Sequence, residues 1–262
     1  MGSVRLFAIL GDPIAQVKTP AGITREFLDR DINAIVVPFH VPPADFDAVF
    51  ASLRRVINLE GLVITVPHKM AVTRHLTSAT DRARFLGAAN VVRRTPDGGW
   101  HGDVTDGLGM LGALRQAGCE PMGKRVLLVG AGGAGSAIAL ALVEAGAAQL
   151  AVHDTDAARR DGLVGRLKER GADAVTGSTD PAGFDLVINA STCGMKAGDP
   201  LPVDASRIAP GTVTADVITL PARTPFLEAA ASRHCHTVPG TSMFAAQVGL
   251  VADFLLGASS EL

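Results

Sequence analysis

The chain has 262 residues, 47% hydrophobic and 19% charged, with 24 Lys and Arg against 26 Asp and Glu for a formal net charge of −2. That length and hydrophobic content fit one large domain or two of ordinary size and exclude a disordered chain, and the scattered basic residues give no electrostatic footprint for nucleic acid or an anionic membrane. The apolar runs are too short to span a bilayer, Met1 to Leu10 lacks the apolar centre of a secretory signal, and Cys119, Cys193 and Cys235 have no metal-ligand spacing, so a cytoplasmic protein with small-molecule partners and no metal is expected.

In chain order, "RLFAIL" from Arg5 predicts a strand, followed by a helix near Ala21 to Arg30, a strand at "AIVVPF", a helix near Pro43 to Val56 and a strand at "GLVITV" from Gly61. In "VVRRTPDGGWHGDVTDG", Pro96-Asp97-Gly98-Gly99 reads as a hairpin turn, and a helix is expected near Leu108 to Ala117. A second series runs from "RVLLVG" at Arg125 through a small-residue helix to "QLAVHD", a helix near Ala157 to Gly171, "DLVINA" and "GTVTADV". Strands alternating with helices predict βαβ units and parallel sheets. The expected fold class is α/β: a first α/β domain over residues 1–107, a Rossmann domain over 108–238, a cleft between them, and a C-terminal helix in 239–262 returning to the first domain.

Gly130-x-Gly132-x-x-Gly135 follows a predicted strand and opens a predicted helix, the context in which this spacing cradles a dinucleotide pyrophosphate. The first glycine permits the tight turn. The second admits the phosphates to the backbone, and the third lets helix and strand pack closely, while Gly133 and Ala134 lie in the helix N-terminus that offers free amides. Asp154 ends the next strand, where a carboxylate accepts hydrogen bonds from the ribose hydroxyls and repels a 2′-phosphate. NAD is therefore expected over NADP, although Arg159 and Arg160 are placed to compensate for a phosphate. The same Asp154 also fits the N-cap of the following helix.

A hydride carrier needs a proton donor or acceptor beside the reacting alcohol or carbonyl. Lys69, at the end of "GLVITVPHK", and Asp106, in "GDVTDG", are candidates for that pair, with the ordinary solvated lysine as the alternative reading of Lys69. Here the chain resembles the shikimate and quinate dehydrogenases. The matching stretches, in order, are "GDPIAQVKTP", "GLVITVPHK", "GAANVV", "GDVTDG", "GAGGAG", "NASTCGM", "TPFL" and "GTSMFAAQ". The resemblance implies a substrate-binding first domain, a Rossmann domain for NAD or NADP, a cyclic hydroxy acid as partner and a role in aromatic amino acid biosynthesis; for the oligomeric state, monomer and homodimer both stand as alternatives. It also implies Lys69 and Asp106 as the catalytic pair, and Thr19, Thr65, Asn90, Thr219 and Gln247 at the substrate. Asn189, Ser191, Met195, Val217, Gly240 and Met243 are implied on the nicotinamide side, with a structural loop and core packing as the alternatives for the Asn189–Met195 stretch and for Met243.

The sequence also departs from the family pattern. Where the family carries two serines that grip a carboxylate, this chain has Val17 and Thr19, with Gln16 and Lys18 as candidate replacements; Lys18 also reads as a solvated loop residue. Val63 and Val91 replace an asparagine and a threonine, and Thr219 stands where a tyrosine is usual in a chain with no tyrosine. Each lost hydrogen bond to a charged ligand group costs about 1.5–3 kcal/mol, so a different hydroxylated ring, less polar or bearing an amine, is the alternative substrate. A dinucleotide-sensing protein without catalysis is the alternative function.

Overall fold

The computed structural model describes residues 4–15 and 17–258, so Gln16 lies outside the described residues. The described residues within Met1–Thr105 and Val248–Leu262 form one compact unit, and Asp106–Gln247 form a second.

The first unit contains β1 (Arg5–Gly11), α1 (Thr19–Asp29), β2 (Ala34–His40), α2 (Phe46–Leu53), β3 (Leu59–Ile64), β4 (Ser78–Ala79), α3 (Asp81–Leu86), β5 (Val91–Arg94) and β6 (Trp100–Asp103). Its sheet has the order β2-β1-β3-β5-β6-β4. Strand β1 pairs in parallel with β2 and β3, as the βα rhythm predicts, but β5 runs antiparallel to both β3 and β6. The sheet is thus mixed, not parallel, because the Pro96–Gly99 turn joins adjacent strands too tightly for a parallel crossover. Gly98 takes φ 82° there, and the Thr95 amide donates to the Gly99 carbonyl at 3.1 Å.

Period-two alternation places β1 between two apolar layers. Phe7 and Ile9 face Ile23, Phe27, Val251, Phe254 and Leu255, whereas Ala8 and Leu10 face Phe46, Phe50, Ile64 and Trp100. A buried ion pair fixes the end of β6: Asp103, 1% exposed, accepts from Arg82 Nε at 2.7 Å, from Thr80 Oγ at 2.5 Å and from the Val104 amide at 2.7 Å.

The second unit begins with α4 (Asp106–Gln116) and continues with β7 (Arg125–Val129), α5 (Gly133–Glu144), β8 (Gln149–His153), α6 (Ala157–Glu169), β9 (Ala174–Thr176), β10 (Leu186–Asn189), β11 (Val213–Asp216), α7 (Pro225–Ala231), β12 (His236–Val238) and α8 (Gly240–Leu256). Its sheet, β12-β11-β10-β7-β8-β9, is parallel throughout. This is the doubly wound arrangement, with its topological switch between β7 and β10, where such sheets bind ligands at the strand ends. Helix α8 starts in this unit, and its residues from Val248 onward belong to the first. Among the described residues, no helix is long and apolar enough to cross a membrane.

Helix α4 is buried on nearly every side, and its glycines explain how. A methyl group at Gly107 would collide with the Ala137 carbonyl oxygen of α5; one at Gly109 would lie 3.1 Å from Gln247 Cβ, and one at Gly112 would lie 3.0 Å from Ala246 Cβ, both on α8. Gly107→Ala is therefore expected to destabilise the protein by about 2–3 kcal/mol in a urea titration, since a backbone carbonyl has no rotamer with which to yield. Gly162→Ala, in α6 with open space around the added carbon, is expected to stabilise by about 0.5–1 kcal/mol in the same assay.

Candidate functional site

In the second unit the glycine loop has the geometry its sequence predicts. Gly130, at φ 104°, has the Ala190 carbonyl oxygen 2.6 Å from where a Cβ would sit, and a methyl group at Gly135 would collide with the Gly130 carbonyl oxygen. Gly132 and Gly133 instead face open space. The first intrahelical bond of α5 is donated by Ser136 to the Gly132 carbonyl at 2.8 Å, leaving the amides of the first turn, Ala134 among them, without intrahelical partners. A cradle of unobstructed amides at a helix N-terminus, beside the switch point, fits a dinucleotide pyrophosphate.

Asp154 closes this loop. Its carboxylate accepts from the Ala131 amide at 2.7 Å and the Asp156 amide at 2.8 Å, with Arg159 Nη1 at 4.0 Å. Burial alone would raise its pKa, but the two amides and Arg159 outweigh that and hold the carboxyl below its usual range, so it is charged at neutral pH. The N-cap of α6 is Asp156, which accepts from the Arg159 amide, and not Asp154.

The ends of β10 and β11 meet in a buried polar network. Asn189 and Asp216 are both fully buried. Asn189 Oδ1 accepts from the Ser191 amide at 3.1 Å and from Ser191 Oγ at 2.6 Å, while its Nδ2 donates to the Cys193 carbonyl at 3.0 Å and to Asp216 Oδ2 at 3.2 Å. The Val217 amide donates to the Asn189 carbonyl at 3.0 Å. Gly240 is pressed against Val217 and Ile218, where a Cβ would collide with the Ile218 carbonyl. Burial pushes the Asp216 carboxyl upward, against the lowering effect of bonds from Ile218, Thr224, Asn189 and Val217. Met195 is exposed, in the turn that follows Asn189, with its amide bonded to the Thr192 carbonyl. Thr219 is half-buried just beyond Val217.

Asp106 opens α4 and is 6% exposed. Gln247 Nε2 donates to its Oδ1 at 2.8 Å. Met243 is buried one turn earlier on α8, and its carbonyl would lie 3.2 Å from a Cβ at Gly109. Two residues 141 positions apart, both expected at the substrate, are thus joined.

In the first unit Lys69 is half-buried in a turn beyond β3, not in a helix. Its carbonyl accepts from the Ala89 amide at 2.8 Å, and the Ile64 amide donates to the Asn90 carbonyl at 2.8 Å, so Lys69 and Asn90 share one strand-end segment. Asn90, 5% exposed, accepts from the Thr105 amide at 3.0 Å and donates to Thr105 Oγ at 3.2 Å. Thr65 lies directly before this turn, its methyl filling the space where a Cβ on Gly11 would sit. His68 is a packing residue: it is 1% exposed, stacks on Phe46 at 4.4 Å between ring centroids and bonds the Val41 carbonyl at 2.7 Å. Thr19 is the first residue of α1 and half-buried, and Lys18 is exposed. Val63 and Val91 are cross-strand partners in one buried cluster, against which Val17 also packs.

Sequence reasoning missed Asp216, Thr224 and Thr105 as members of these networks, and no spacing singles them out.

A family model described as the shikimate dehydrogenase substrate binding domain matches residues 9–92. A shikimate dehydrogenase (NADP(+)) of Rubrobacter xylanophilus is 35% identical over 248 residues, covering 92% of this chain and 87% of its own. Among solved structures, a 5-ketofructose reductase of Gluconobacter sp. superposes with a TM-score of 0.90 at 29% identity, covering 100% of this chain and 96% of its own. The quinate dehydrogenase of Corynebacterium glutamicum, in complex with NAD, gives 0.88 at 28% identity, covering 96% and 93%. The chain belongs to the shikimate/quinate dehydrogenase family and is an oxidoreductase acting on a CH–OH group.

Proposed function

We propose that this protein interconverts a ring hydroxyl and the corresponding ketone of a polyhydroxylated cyclic acid, with Lys69 and Asp106 handling the proton. The nicotinamide dinucleotide supplies the hydride acceptor or donor when bound. The observation that carries the reading is the bond from Gln247 to Asp106: a buried carboxylate oriented by an amide is held to one direction, which is what a group that accepts or steers a proton requires. Lys69, half-buried, gives a proton from its ammonium form to the carbonyl oxygen in the reducing direction, and its neutral amine receives the alcohol proton in the other. Thr65, Asn90 and Gln247 bind ring hydroxyls, with Thr19 and Thr219 at the carboxylate.

A second reading concerns the substrate. Val17, Val63 and Val91 converge on one apolar cluster, and a protein named for 5-ketofructose, an uncharged compound, shares the fold at 29% identity. Together these support a hydroxylated substrate with a less polar or uncharged substituent in place of a firmly held carboxylate. A screen at 340 nm of shikimate, quinate, their amides and uncharged polyols, with both dinucleotides, separates the readings. Comparable kcat/KM for an acid and its amide favours the second; a preference for the acid of a hundredfold or more, about 3 kcal/mol, favours the first.

For the cofactor we propose NAD, on the charged Asp154 carboxylate beside the ribose position; the curated relatives are named for NADP, so the choice rests on this residue. Asp154→Asn is expected to shift the ratio of kcat/KM values for NADP over NAD upward by about tenfold, the worth of removing one like-charge contact near the surface. An unchanged ratio defeats the assignment.

Lys69→Ala is expected to lower kcat by about 10²–10⁴ while dinucleotide affinity, measured by fluorescence titration, stays within about twofold of the parent.

A further inference from the structure

Asp216 is a fully buried carboxylate that the proton-transfer reading leaves without a task. Its Oδ1 accepts from the Ile218 amide at 2.9 Å, and its Oδ2 accepts from Thr224 Oγ at 2.7 Å and Asn189 Nδ2 at 3.2 Å. Donors converging on both of its oxygens call for a group that only accepts, and a carboxylate is the one side chain of this size that meets the demand. An amide at this position would set one NH₂ group against another, since whichever end faces Ile218 as acceptor leaves the donor end toward Asn189.

The consequence reaches further than one bond. Asn189 can satisfy Asp216 and the Cys193 carbonyl only with its Nδ2 on that side, which turns its Oδ1 toward the Ser191 amide and hydroxyl. Ser191 Oγ in turn accepts from the Cys193 amide at 3.2 Å. On its other side Asp216 holds the Ile218 amide, in the segment against which Gly240 begins α8, and it holds Thr224, the N-cap of α7. One acceptor thereby sets the orientation of the Asn189 amide and the placement of residues 189–193 and 217–218.

We propose that Asp216 is the positioning residue for the nicotinamide half of the cofactor site, fixing the Asn189 amide and the Val217–Ile218 segment. The proposal rests on the reading of Asn189, Ser191, Val217 and Gly240 as lining that half. It separates the two halves of the site: the glycine loop and Asp154 hold the adenosine diphosphate moiety, and the Asp216 network orders what meets the nicotinamide.

The test compares two ligands on the full-length protein. ADP-ribose, or its 2′-phosphate if NADP is the preferred cofactor, reports on the first half alone, and the reduced dinucleotide reports on both. In parent protein the dinucleotide is expected to bind more tightly than the fragment. Asp216→Asn is expected to weaken the dinucleotide by about tenfold or more, the loss of at least one charge-assisted bond, and to leave the fragment within about twofold. Thr224→Val, which removes a single donor to the carboxylate, gives a smaller loss with the same selectivity, and it carries the test if Asp216→Asn does not fold. Thr224→Ser restores the parent behaviour. Equal loss for fragment and dinucleotide, or no loss for either, overturns the role of Asp216. A parent protein that binds fragment and dinucleotide equally overturns the assignment of the nicotinamide side itself, and the proposal with it.

Discussion

The bond between Asp106 and Gln247 exists because α4 carries almost no side-chain bulk where its neighbours arrive. Two α-helices with ordinary side chains pack with axes 8–10 Å apart, and Gly109 and Gly112 let the first turns of α8 approach to where Gln247 Cβ would be in contact with an added methyl group. Gly107 does the same toward the backbone of α5. With both partners set by backbone packing, the Gln247 amide meets the carboxylate at 2.8 Å. A side chain held in this way has little further entropy to lose on meeting a ligand, which is the physical content of a preorganised site.

The same device recurs at the glycine loop, where Gly130 and Gly135 bring three backbone segments together with no side chain between them. Close approach leaves the Ala131 amide directed at Asp154. The carboxylate is thus part of the loop that it also charges: it braces the turn and sets the local potential to negative, with Arg159 at 4.0 Å as a partial counterweight. Because that arginine is more than half exposed, solvent screens it, and the carboxylate, bonded at short range to two amides, dominates the field beside the loop.

Much of this was legible in the sequence, for identifiable reasons. The β-branched runs at Arg5, Ala34, Arg125 and Leu186 are strands because alternation or full burial leaves a pattern in the residues, and Gly130, Gly132 and Gly135 announce the dinucleotide turn because each satisfies a different steric demand. Strands β4, β9 and β12 are two or three residues long, too short for any period to register. The antiparallel β5 was implicit in the Pro96–Gly99 turn but was hidden by the strong βα rhythm around it. Asp216 and Thr105 were invisible because what marks them is burial and convergence of donors, a property of tertiary structure. Asp154 shows the limit from the other side: an aspartate before a helix reads as an N-cap, yet the aspartate two residues on takes that place, because the glycine loop already occupies the first.

The three valines that depart from the family pattern become one feature once the fold is known. Separately, Val17, Val63 and Val91 are three lost polar contacts; in the structure Val63 and Val91 face each other across β3 and β5, and Val17 joins the cluster they share with Phe7 and Ile9. A polar group placed alone among these residues leaves a buried donor or acceptor unpaired, which costs about 1–3 kcal/mol, so the apolar choices support one another and none reverts cheaply without its neighbours. That coupling makes the three positions one packing unit, with Val91 fully buried and Val63 nearly so.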